Sequence, residues 1–154
     1  MILNINNISD VRSRIKSENK KLVFTNGCFD IIHKGHVSYL NQAKLMGDYL
    51  IVGLNSDKSV KKLKGDDRPV NNENDRAFIL DNLKSVDFVI IFNEDTPYEL
   101  IKLIVPDYLV KGGDWRKIDI VGSDIVTAAG GKVLSLNFIN NYSSTGIIEK
   151  IRKH

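Results

Sequence analysis

Residues 22–36 read Leu22-Val23-Phe24-Thr25-Asn26-Gly27-Cys28-Phe29-Asp30-Ile31-Ile32-His33-Lys34-Gly35-His36. The apolar run Leu22–Thr25 has the length and composition of a buried strand. A polar, glycine-bearing turn follows it. Beyond His36, Val37, Leu40, Ala43 and Leu45 recur at helical spacing, so a helix opens beside the two histidines. The stretch is therefore a strand, a turn and a helix mouth in direct succession.

Outward from this unit the alternation repeats. Tyr49–Leu54, Phe88–Phe92, Tyr108–Val110 and Lys132–Leu136 are further apolar runs of strand length. Ala77, Leu80 and Leu83 carry helical spacing before the Phe88 run. Thr96-Pro97 opens a helix that continues through Leu100, Leu103 and Ile104 and stops before Pro106. This pattern predicts an α/β fold, a single Rossmann-like domain over residues 1–154, with about five parallel strands and helices on both faces. Ligands of such sheets sit beyond the carboxyl ends of the strands, where strand order reverses. That rule selects residues 26–36, 55–69, 111–115 and 137–145 in advance.

The bulk properties narrow the function class. A chain of 154 residues with 42% hydrophobic and 27% charged side chains is globular rather than disordered. A net charge of +3 is too small to argue for DNA or RNA. The single cysteine, Cys28, excludes an internal disulfide and fits a reducing compartment. No apolar run has the length of a membrane span, and Met1–Arg14 lacks the pattern of an export signal. The expectation is a cytoplasmic protein, with neither membrane nor nucleic acid as partner.

His33 and His36, two of the chain's three histidines, bracket Gly35 at the helix mouth. A helix opening presents free N–H groups and a partial positive charge, which suits phosphate. Two imidazoles one helical step apart can hydrogen-bond to a phosphate under substitution or, when protonated, neutralise it. Gly27 and Gly35 let backbone come close to a ligand. Zinc is the weaker alternative, since only Cys28, Asp30 and distant carboxylates could complete its shell. The glycine spacing matches neither a P-loop nor a Gly-x-Gly-x-x-Gly fingerprint.

The segment resembles the His-x-Gly-His signature of the cytidylyltransferase-like nucleotidyltransferase superfamily. The likeness extends through Asn55-Ser56-Asp57, Lys64-Gly65, Arg68-Pro69, Asp75-Arg76-Ala77, Val110-Lys111-Gly112-Gly113-Asp114-Trp115 and Ser143-Ser144-Thr145-Gly146-Ile147-Ile148. Within that superfamily, Asp95-Thr96-Pro97, Pro106-Asp107 and Lys111-Gly112-Gly113-Asp114 are most similar to the adenylyltransferase domain of bacterial ADP-heptose synthesis, which acts on D-glycero-D-manno-heptose 1-phosphate. Trp115 replaces a different aromatic residue, and Ser143-Ser144-Thr145 replaces the usual Ser-Thr-Thr. Both departures lie in the nucleotide pocket and leave the nucleobase open.

The resemblance implies transfer of AMP from ATP to a sugar 1-phosphate, with release of pyrophosphate. His33, His36 and Lys64 become the catalytic candidates. Cys28, Phe29, Gly35, Asp114, Trp115, Ser143, Ser144 and Thr145 become nucleotide-binding candidates. Asn26, Asn55, Arg68, Arg76, Lys111 and Gly112 are expected to hold substrate or phosphate. Arg76 has a second option, a bridge to Glu73 or Asp75 on its own helix. Lys61, Lys62, Lys64 and Arg68 are read as a loop, with the first two facing solvent. Mg²⁺ is the expected cofactor, bridging phosphate oxygens with Asp30 as its protein ligand. The expected partners are ATP or another NTP and a small phosphorylated substrate. A homodimer and a separate upstream sugar kinase are further expectations. The rivals are a CTP-dependent glycerol-3-phosphate (or other polyol or sugar phosphate) cytidylyltransferase and a non-catalytic nucleotide-binding module. Asp66-Asp67 among the lysines argues against a third, an RNA-binding surface.

Overall fold

Successive side chains of a strand leave opposite faces of its sheet, and here both faces are covered. Leu22 and Phe24 enter one apolar cluster and Val23 the other; Ile51 is divided in the same way from Leu50 and Val52. This is why the strands read as unbroken apolar runs rather than as alternations. In the computed structural model, which describes residues 1–137 and 142–153, the strands are β1 (Ile2–Leu3), β2 (Leu22–Gly27), β3 (Tyr49–Asn55), β4 (Phe88–Phe92), β5 (Tyr108–Gly112) and β6 (Lys132–Leu136). All pairings are parallel, in the order β1-β4-β3-β2-β5-β6.

The helices are α1 (Ile8–Ser17), α2 (Lys34–Lys44), α3 (Asp57–Lys64), α4 (Glu73–Asp81), α5 (Tyr98–Ile104), α6 (Ser123–Ala128) and α7 (Ser144–Arg152). Ile8 and Ile15 of α1, Leu100, Ile101 and Ile104 of α5, and Val126 of α6 pack on one face. Tyr39, Leu40 and Ala43 of α2 and Ala77 and Leu80 of α4 pack on the other. Burying one such Leu, Ile or Val contributes about 1.5–3 kcal/mol. No helix among the described residues is long and apolar enough to cross a membrane.

The five expected strands are all present, and the short edge strand β1 makes a sixth. Three strands run further than their apolar residues do. Asn26 and Gly27 stay in β2 because they pair with Gly53 and Leu54. Asn55 stays in β3 opposite Phe92, and Lys111 and Gly112 stay in β5 opposite Ser135 and Leu136. The stretch read as a basic loop is corrected to a helix. Lys61, Lys62 and Lys64 lie on α3, capped by the Ser56 hydroxyl, which accepts from Ser59 N.

Strand order reverses between β2 and β5, each of which starts a run toward one edge. At the opposite rim, three carboxylates lock the strand starts. Asp48 accepts from Lys21 N at 2.7 Å, Asp87 from Leu50 N at 2.7 Å, and Asp107 from Leu22 N at 3.0 Å. Burial opposes ionisation of Asp107, but the Leu22 amide, Lys21 and Arg12 outweigh it and hold the carboxyl below its ordinary value. A depressed native pKa adds stability above the unfolded value of about 3.9, and that stability is lost as pH falls through the native value. Urea titrations across pH should therefore show Asp107→Asn less stable than the parent at pH 7. The gap should narrow below about pH 4; a gap that stays constant at all pH values contradicts this role.

Candidate functional site

The mouth of α2 is shaped by its own histidines. His33 is the N-cap residue, with extended backbone, and its Nδ1 accepts from His36 N at 3.4 Å. The two rings stack with centroids 3.8 Å apart and planes 17° apart. Phe29 stands edge-on to His36, its centroid at 5.2 Å. The residues between are small for steric reasons. A Cβ at Gly35 would lie 3.0 Å from His33 Nδ1, and one at Gly27 would lie 2.9 Å from the Phe29 ring. Both glycines thus make room for rings of the site, which the sequence had suggested was room for a ligand.

His36 is half buried. Burial, then repulsion from His33 when it is protonated and from Lys64, pulls its pKa down to about 4. Burial lowers that of His33 as well. Both imidazoles are therefore neutral near pH 7 in the free protein. They act there as hydrogen-bonding groups, and the fixed positive charge comes from lysines.

A hollow of about 180 Å³ opens beside His36. Its walls are Asn26 and Gly27 from the end of β2, Cys28, Phe29 and Asp30 from the turn, His36 and Tyr39 from α2, Lys64 from the end of α3, Lys111 and Gly112 from β5, and Ser144 from α7. The topology thus brings residues as distant in sequence as Asn26 and Ser144 together on the carboxyl rim of the sheet. Lys111 reaches Asn26 Oδ1 at 3.5 Å across the gap between β2 and β5. Its burial lowers its pKa, an effect opposed by Cys28. A larger hollow of about 800 Å³ lies elsewhere, among Tyr98, Ile118, Val121 and Leu134. It is mostly apolar and holds neither imidazole, so chemistry rather than size selects the smaller one.

Several expected ligand-binding residues are held by other parts of the chain. Arg76 is wholly buried. It donates to Asn71 O at 3.0 Å, Cys28 O at 2.6 Å, Asn55 O at 2.9 Å and Asp57 Oδ1 at 2.8 Å. Its guanidinium is engaged by three chain segments, and its ion pair is with Asp57 of α3, rather than with Glu73 or Asp75, the second option offered by the sequence. Asn55 donates to Ser59 Oγ at 2.9 Å beneath α3. The side chain of Asp30 is fully buried. It accepts from Arg68 Nε at 2.6 Å, Val70 N at 2.8 Å and Asn71 N at 3.0 Å. Burial opposes its ionisation, but these donors outweigh it and keep its carboxyl below the ordinary value. A carboxylate with three donors is poorly placed to ligate Mg²⁺, and Arg68 is committed to it. Among the described residues no three His, Cys, Asp or Glu side chains gather where a metal could be held.

On the β5 side, Asp114 is exposed, and Trp115 is half exposed beyond the hollow. The indole N–H donates to Gly112 O at 3.1 Å, and Trp115 N donates to Ser135 Oγ at 3.2 Å. Ser143 caps α7, accepting from Gly146 N at 2.9 Å. Ser144 donates to Ile31 O at 3.1 Å from the wall of the hollow, while Thr145 is exposed and off that wall. Of the 137–145 segment, residues 138–141 lie outside the described residues. Lys62 pairs with Asp95 at 2.7 Å. Tyr39 was not singled out in the sequence; its signal was a large polar ring three residues after His36 on the same helix face.

With the geometry established, comparison with known proteins places the chain. Residues 24–150 match the model of the family described as cytidylyltransferase-like. The "Bifunctional protein HldE" of a Nitratiruptor species is 58% identical over 133 residues, covering 86% of this chain and 28% of that protein. The protein of the same name from Aliarcobacter butzleri is 52% identical over 147 residues, covering 96% and 30%. The chain thus spans about three tenths of the length of these relatives. Among solved structures, the lipopolysaccharide core biosynthesis protein from Thermoplasma volcanium superposes with a TM-score of 0.62 at 28% identity, covering 80% of this chain and 99% of that one. The pantoate-beta-alanine ligase from Francisella tularensis shares the fold at 16% identity, with a TM-score of 0.61, covering 100% of this chain and 78% of that one. The hollow at the mouth of α2 falls within the matched span, and the chain belongs to the cytidylyltransferase-like family of nucleotidyltransferases.

Proposed function

We propose that this chain transfers AMP from ATP to D-glycero-D-manno-heptose 1-phosphate, giving the ADP-sugar and pyrophosphate. The observation that carries the proposal is the convergence of His36, Lys64 and Lys111 on one hollow at a helix mouth. The identity to the HldE proteins, 58% and 52% in the two compared, supports the heptose branch over a CTP-dependent glycerol-3-phosphate enzyme.

The sugar phosphate is already ionised at neutral pH, so attack on the α-phosphorus needs no strong base. One P–O bond forms from the acceptor, and the bond to the β-phosphate oxygen breaks, the electron pair leaving with pyrophosphate. Catalysis is then positioning and charge stabilisation. A hollow of about 180 Å³ is below the roughly 300–1,000 Å³ of a whole-ligand pocket. It suits the phosphates alone, leaving the nucleoside to lie over Gly112, Asp114 and Trp115. Neutral His36 donates a hydrogen bond to a phosphate oxygen, and stacked His33 holds its ring in place. Lys64 closes on the departing charge from the end of α3, and Lys111 meets the acceptor phosphate from β5.

Mg²⁺ would neutralise triphosphate oxygens. Asp30 is engaged with Arg68 and two backbone amides, and Mg²⁺ carried on substrate phosphates would keep most of its waters and need few protein ligands. The acceptor is a sugar 1-phosphate, the product of a kinase, and the cytoplasm, where nucleoside triphosphates are made, is the compartment this chemistry requires.

Kinetics and titration both test the site. In a pyrophosphate-release screen of four NTPs against sugar and polyol phosphates, ATP with the heptose phosphate should be the best pair. His36→Ala should lower its kcat by about 100-fold or more; turnover at the parent rate rules out the assigned role. By NMR, His36 of the free protein should titrate near the value of about 4 set by its burial. Because the native state takes up fewer protons than the unfolded chain between there and about 6.5, stability should rise with pH across that window. Bound triphosphate should move the titration upward, since a nearby anion favours the imidazolium. An unchanged titration places the anion elsewhere.

A further inference from the structure

The ladder between β2 and β5 is short. It joins Val23 to Tyr108 and Phe24 to Leu109 and then stops. By contrast, β2 remains paired with β3 as far as Gly27, and β5 with β6 as far as Gly112. Thr25 and Val110 are therefore the first residues at which the two central strands part. The hydroxyl of Tyr39 sits at this fork, 2.5 Å from Thr25 Oγ1 and 3.2 Å from Val110 O. A carbonyl only accepts, so Tyr39 donates to Val110, and the Thr25 hydroxyl donates to Tyr39. The residue is buried, and burial raises its phenol pKa, which keeps the donor proton in place.

An apolar side chain would fill this position without the cost of desolvating a hydroxyl. The phenol instead ties one helix to two strands at the point where the hollow opens, and it lines that hollow. His36 lies one helical step before it on α2. Asn26 and Lys111 follow directly after Thr25 and Val110 on the two strands.

We propose that Tyr39 is a positioning residue of the transfer reaction: its hydroxyl bolts α2 to β2 and β5 at the fork and sets the spacing between His36, Asn26 and Lys111. The proposal rests on the function argued above. The groups on the β2 side and those on the β5 side approach different parts of the reacting pair, so a loosened fork misaligns them without removing any of them. Its mark is a loss in kcat larger than any change in KM for ATP.

Tyr39→Phe keeps the ring and deletes the bridging hydroxyl; Thr25→Val removes its tie to β2. Amide hydrogen exchange of the full chain without ligand should quicken about fivefold or more at Asn26–Gly27 and Val110–Gly112 in Tyr39→Phe. Pyrophosphate release should show kcat down about tenfold, with KM for ATP within about threefold of the parent. Thr25→Val should move both readouts the same way. The double variant should fall short of the product of the single effects, because both remove one bridge. Unchanged exchange at the fork, or faster exchange with parental kcat, overturns the proposal. A parent chain that releases no pyrophosphate with any pair overturns the function itself. A parent that turns over beside a Tyr39→Phe variant of equal kcat overturns only the positioning role.

Discussion

Two neighbouring strands that stop pairing after Phe24 and Leu109 create the space in which everything else acts. The strands diverge because the chain order reverses between them, and helices leave β2 and β5 toward different sides. Every polar wall of the hollow is a residue at or just beyond that divergence, or on a helix that borders it. At the opposite rim Asp48, Asp87 and Asp107 bind the amides at the strand starts. The two ends of the sheet thus differ: carboxylates tie the strand starts together, while the paired imidazoles, Lys64 and Lys111 gather at the carboxyl rim.

Two buried arginines make the carboxyl rim rigid. Arg76 holds Cys28, Asn55, Asp57 and Asn71 to one guanidinium, and Arg68 with Asp30 joins the turn before α2 to the segment after Lys64. Such charges resist displacement, because a buried ion left without its partner costs about 3–5 kcal/mol. The electrostatics of the hollow follow from this framework. Its carboxylate is neutralised within the scaffold, its imidazole, His36, is kept neutral chiefly by burial, and Lys64 and Lys111 supply the positive field. An anion entering it meets hydrogen-bond donors and ammonium groups without a competing free carboxylate.

Much of this was legible in the sequence. The strand–turn–helix unit at Leu22–His36 and the later apolar runs led to the parallel sheet and to its carboxyl rim. What escaped reading has physical causes. β1 is two residues long, too short for periodicity to register. Asn26, Gly27 and Asn55 have poor strand propensity and remain in strands because their neighbours pair with them. The lysines of α3 obscured a helix whose buried residues are only Ser59 and Val60. For Arg76 and Asp30, the residue type suggested a ligand; only the fold reveals that their partners are other parts of the chain. Tyr39 was hidden for the converse reason, since a tyrosine on a core face reads as packing until its hydroxyl is seen at the fork.

The central claim is that the triphosphate lies at the mouth of α2, between the two central strands. A crystal structure of the chain with a non-hydrolysable ATP analogue and the heptose phosphate tests it most directly. The account predicts phosphate oxygens within hydrogen-bonding distance of His36 and Lys64, the base over Trp115 and the acceptor phosphate near Lys111. Nucleotide bound instead in the larger apolar hollow among Tyr98, Ile118 and Leu134, with His36 untouched, would contradict it.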